Sequence, residues 1–101
     1  MAREVHKFIP DGPSTEGGRW KGSTNLEGTI RQILVVPQTD QNVYNFGIID
    51  EDGMVVFREY DIKGQLNVSN LDLIMFPGEK RLLIEEATKN EPFRIKIIYQ
   101  L

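Results

Sequence analysis

Two stretches of this chain alternate apolar and polar side chains with a period of two, and that period decides what the sequence can fold into. Phe93-Arg94-Ile95-Lys96-Ile97-Ile98-Tyr99 puts Phe93, Ile95, Ile97 and Tyr99 on one side. Val43-Tyr44-Asn45-Phe46-Gly47-Ile48-Ile49 does the same with Tyr44, Phe46 and Ile48. Only an extended strand carries successive side chains to opposite faces. Thr29 to Val36 is β-branched and apolar on both sides and stops at Pro37, which predicts a central strand. Asp50-Glu51-Asp52-Gly53 separates Ile49 from a further run, Met54 to Tyr60, and its acidic residues and glycine suit a tight reversal. A hairpin is predicted there.

Beyond the hairpin, Gly64-Gln65-Leu66-Asn67 reads as a less regular crossing, and Leu71, Leu73 and Met75 recur at period two as a short or edge strand. Phe76-Pro77-Gly78-Glu79 has proline second and glycine third, as in a type II turn. The following Glu79 to Ala87 is ambiguous, because its residues are good helix formers with charges at helical spacing. Its shortness and the turn residues on both flanks favour a strand from Lys80 to Glu86. Short strands punctuated by turns, with almost no helical period, predict an all-β fold: an antiparallel β-sandwich or jelly-roll-like single domain.

Residues 1–25 break this pattern. Pro10, Gly12, Pro13, Gly17, Gly18 and Gly22 interrupt them, so they are expected to form a flexible arm ahead of a sandwich spanning 26–101. Short extended pieces are conceivable around Val5 to Ile9 and Arg19 to Ser23, with Asp11 to Gly18 a mobile loop. Four basic against three acidic residues leave the arm at +1; with the whole chain at −3, the remainder carries −4. An arm of that sign can lie on its own body or on a neighbour's. Trp20, between Arg19 and Lys21, needs apolar cover: its own core, or a neighbouring subunit, since Trp and Arg dominate interfaces. Phe8, Ile9, Arg19, Trp20 and Lys21 are therefore the candidate interface residues.

Composition excludes several functions. At 101 residues the chain supports one core, burying about 60 to 70% of its unfolded surface, which leaves self-association as a natural source of extra stability. The net charge of −3 offers no broad positive field for phosphate backbones, so nucleic acid is not an expected partner. No cysteine is present, which removes disulfides and thiolate metal sites. No apolar run approaches a membrane span and the N-terminus does not read as a signal peptide, so synthesis in a cytoplasm and no membrane partner are expected.

Chemistry-bearing residues are sparse. His6 is the only histidine, which rules out a two-histidine metal site and leaves catalysis through it an unattractive reading. Asp50, Glu51 and Asp52, with Asp40 a further possibility, could offer hard oxygens to calcium, but Asp50 and Asp52 are weak candidates because Met54-Val55-Val56 follows at once and a solvated turn explains them. No pair of acids stands out for glycosidic cleavage. Asn67-Val68-Ser69 matches the glycosylation triplet without a secretion signal. No phosphate-binding glycine loop occurs. The expectation is a non-enzyme with no cofactor and no catalytic residues.

Taken together, Gly28 to Pro37, Tyr44 to Gly53, Gly64 to Asn67 and Ala87 to Lys96 resemble small β-sandwich virion proteins of tailed bacteriophages. That resemblance implies a structural component of the particle, a capsid decoration, neck or tail accessory protein, located in the virion and partnered by copies of itself and other virion proteins. The hairpin and Pro-Gly turn are also similar to jelly-roll modules of secreted bacterial enzymes. This second resemblance implies a carbohydrate-binding or adhesion module, with Trp20, Tyr44 and Tyr60 as stacking surfaces. With one Trp, and with neither a secretion signal nor an attached enzyme expected, the chain departs from that pattern.

Overall fold

The computed structural model describes residues 3–9 and 13–101. It is all-β, an antiparallel sandwich of two sheets, with nine strands among the described residues: β1 (Glu4–Phe8), β2 (Trp20–Asn25), β3 (Gly28–Pro37), β4 (Val43–Ile49), β5 (Val55–Lys63), β6 (Leu66–Val68), β7 (Leu73–Met75), β8 (Glu79–Glu85) and β9 (Phe93–Gln100). One sheet runs β1-β9-β3-β6, with β7 also pairing β3, and the other runs β2-β8-β4-β5.

The alternation seen in the sequence becomes the core. Ile33, Val35, Ile95, Ile97 and Tyr99 from the first sheet face Tyr44, Phe46, Ile48, Leu82 and Ile84 from the second, and all are buried. Fully burying one such side chain contributes about 1.5–3 kcal/mol. Tyr44 meets Phe93 edge-on across the sandwich, ring centroids 4.9 Å apart at 81°. The β3 strand is central as its two apolar faces require, held by β9 on one side and by β6 and β7 on the other. The ambiguous segment is strand β8, because it lies between β2 and β4 and each neighbour supplies a ladder of backbone hydrogen bonds. Lys80 is buried within it and donates from Nζ to the carbonyl oxygens of Leu26, Phe76 and Gly78, at 3.3, 2.7 and 3.1 Å.

The expected flexible arm of residues 1–25 is corrected by the structure. Its two extended pieces are the outermost strands of the two sheets. The β1 strand pairs with β9 from Glu4↔Gln100 to Phe8↔Lys96, and β2 pairs with β8 from Trp20↔Ile84 to Asn25↔Glu79. The described part of the loop is tied down as well: Phe93 N donates to Pro13 O, Thr15 is buried and exchanges hydrogen bonds with Lys89 and Glu91, and Gly18 N donates to Asn90 Oδ1. Residues 1, 2 and 10–12 lie outside the described residues. The domain therefore includes strands on both sides of the expected division at 25/26. Backbone pairing with distant partners, which no local pattern encodes, holds these segments in place.

Candidate functional site

Two surfaces combine exposed side chains with fixed geometry. The first is the outer face of the four-stranded sheet. In β5, Arg58 pairs with Gly47 and points outward, where Nη2 meets Glu85 Oε1 of β8 at 3.1 Å. Two residues on, Tyr60 is 58% exposed, with the Arg58 guanidinium 5.7 Å from its ring centroid. Asn45 of β4 donates from Nδ2 to Glu86 Oε2 at 3.1 Å and accepts from Asp61 N at 2.9 Å. With no side chain at Gly47, this row forms a shallow platform of one aromatic ring and several mutually held polar groups.

The second surface is on the other sheet, at the end of the sandwich where β3 reaches Val36 and β9 begins. Phe8, Ile9, Leu34, Val36, Arg94 and Lys96 line most of a groove of about 390 Å³. Phe8 is 66% exposed, and the Lys96 ammonium sits 5.4 Å from its ring centroid. Leu34 and Val36 project outward because each pairs with an outward residue of β9, Lys96 and Arg94 respectively. Two cations and no carboxylate border this apolar floor.

The five candidate interface residues are not brought together. Phe8 and Ile9 lie along β9, Phe8 outward and Ile9 partly packed on the core, while Arg19, Trp20 and Lys21 belong to the outer edge of the other sheet. Trp20 packs on its own core, and its indole lies over Gly22, where an added methyl would meet ring atoms at 2.5 Å. The ring thus finds its cover within its own chain, while Arg19 and Lys21 remain exposed. Of the three proposed stacking rings, Tyr60 is exposed, Trp20 is turned inward, and Tyr44 is buried with its hydroxyl donating to Gly64 O at 2.6 Å. Burial pushes the Tyr44 phenol well above its ordinary value, against the pull of the Leu66 backbone hydrogen bond, so it stays neutral and structural.

The acidic hairpin tip serves its own turn. Asp50 Oδ1 accepts from Asp52 N and Met54 N at 3.0 and 2.9 Å, and Glu51 Oε1 accepts from Glu79 N at 2.8 Å. Asp40 is beside Gly64, at the opposite end of β4. Among the described residues no group of three or more His, Cys, Asp or Glu is placed to hold a metal ion. His6 is exposed and 2.7 Å from Glu4. Glu91 was not singled out in the sequence, yet it organises a loop junction. Partial burial works against its charge, but hydrogen bonds from Thr39 and Asn42, with Lys89 nearby, outweigh that and hold the carboxyl below its usual range.

No family model matches the sequence, and no curated protein matches it either. Among solved structures the fold is similar to a CBM36 carbohydrate-binding module in complex with calcium and xylotriose, with 8% identity and a TM-score of 0.43, over 100% of this chain and 99% of that one.

Proposed function

We propose that this protein is a non-catalytic binding module that takes carbohydrate on the outer face of its four-stranded sheet. The carrying observation is the row Tyr60, Arg58 and Glu85 beside Asn45 and Glu86, an exposed ring next to donors and acceptors already held by one another. A sugar presents an apolar C–H face and a rim of hydroxyls, which suits an aromatic ring flanked by fixed polar groups. Because these side chains are ordered before the ligand arrives, little conformational entropy is lost on binding. A single ring on an open face implies weak affinity, with a dissociation constant on the order of 1 mM.

A glycan array followed by titration calorimetry of the best hit tests this reading. Tyr60→Ala should weaken binding about tenfold or more, a loss of roughly 1.4 kcal/mol. An array without hits, or a hit indifferent to Tyr60→Ala, would overturn it.

A second reading, a structural subunit of a tailed-bacteriophage particle, is favoured by a different observation: Met54, Ile74 and Phe76 are large apolar side chains left exposed at one end of the sandwich. Contiguous exposed apolar surface marks protein contacts. Mass spectrometry of purified particles tests it directly, and absence of the chain from heads, necks and tails would remove it.

A further inference from the structure

The two ends of the sandwich are complementary. At one end Gly28 of β3 pairs with Met75, and there the β4–β5 turn meets the β7–β8 turn: Asp50, Glu51, Asp52, Phe76, Pro77 and Lys80 border a common hollow, with the buried Lys80 ammonium turned in to the carbonyl oxygens of Leu26, Phe76 and Gly78. Phe76 is 83% exposed at this end, and Met54 and Ile74 are exposed beside it. Towards the other end, six to eight residues along β3 and hence roughly 20–27 Å away, lies the groove of Phe8, Leu34, Val36, Arg94 and Lys96. One end is an apolar knob, the exposed Phe76 ring, flanked by three carboxylates over one buried ammonium, and the other is an apolar hollow bordered by two cations.

We infer that copies of this protein associate head to tail, the Phe76 end of one seated in the Phe8–Leu34–Val36 groove of the next. Seating Phe76 removes apolar surface from water on both partners. Asp50 and Asp52 then come to Arg94 and Lys96, which sets orientation and disfavours knob-to-knob or groove-to-groove contact, where like charges would meet. The contact joins two different surfaces, so each copy keeps one free knob and one free groove, and the assembly grows as a ring or a filament. This goes beyond both functional readings, needing neither a glycan nor a virus particle.

Complementation of two defective copies tests it. Lys96→Glu spoils the groove and leaves the knob; Phe76→Ser with Asp52→Asn spoils the knob and leaves the groove. All three positions present solvent-accessible side chains, and circular dichroism with thermal melting checks that each variant folds. Arg94→Glu replaces Lys96→Glu should the latter fail that check. Sedimentation velocity over a concentration series should show wild-type protein associating, less so at high salt, and each variant alone weakened at least about tenfold. An equimolar mixture of the two should form a 1:1 dimer and nothing larger. Wild type that stays monomeric overturns the proposal, as do variants that associate like wild type. A mixture that remains monomeric while wild type associates also overturns it, since an intact knob and an intact groove would then be present together and fail to join.

Discussion

Gly28 and Gly53 share a left-handed backbone, with φ of 84° and 82°, but differ in their surroundings. A methyl at Gly53 would meet nothing within 4 Å, whereas at Gly28 it would strike the carbonyl of Gln100 on the neighbouring strand. Gly53→Ala should therefore cost only the conformational penalty, about 1–2 kcal/mol. Gly28→Ala should cost about 2 kcal/mol more, because β3 and β9 must also part. Urea denaturation of the two variants checks the difference. Glu91 makes a pH prediction. Its folded-state carboxyl lies below its unfolded value of about 4.3, so its stabilising contribution is complete above that value and is lost as pH falls through the lower, folded-state one. Glu91→Gln should be less stable than wild type at neutral pH, and the gap should close in acid, read as urea midpoints across a pH series. Neither site shows its full role in the sequence: Gly53 reads as a turn from its neighbours, but the obstacle at Gly28 belongs to a residue at the far end of the chain.

The strands differ in how openly they declare themselves. The β4–β5 hairpin and β9 are legible because each carries its own apolar alternation, and Asp50 to Gly53 supplies the reversal. The β1 and β2 strands are not. In β1 the inward row is Val5, Lys7 and Ile9, and the lysine breaks the apolar period while donating from Nζ to Asn25 O at 2.8 Å. An inward charge on an outermost strand also discourages stray pairing with other chains. In β2 the inward row is Trp20, Gly22 and Thr24, where one indole fills its own place and the space above the glycine, so the apolar content of two positions sits in one residue. Removing residues 1–25 should consequently strip both sheets of an outer strand and uncover core around Val5, Ile9 and Trp20. The shortened chain should lose its cooperative thermal transition and aggregate, as read by circular dichroism and size exclusion. A folded, soluble fragment would restore the division at 25/26.

At the scale of the whole molecule, the first strand pairs with the last, and β3 pairs with β9 across most of the sequence. Such distant pairings must pay for closing long loops before they are rewarded, so folding should take milliseconds to seconds. Stopped-flow fluorescence of Trp20 measures this, and a microsecond phase carrying the full amplitude would contradict it. The same feature separates what could be read early from what could not. A period of two is local chemistry, so the linear order of residues already implied an all-β chain, the acidic hairpin, the strand character of Phe93 to Tyr99 and the inward side of each regular run. Pairing is a relation between segments tens of residues apart, and exposure depends on which segments end up as neighbours. Thus only the folded chain could turn the expected arm into two strands, leave Tyr60 open on the outer face, and set a cationic hollow and an acidic knob at opposite ends of one sandwich.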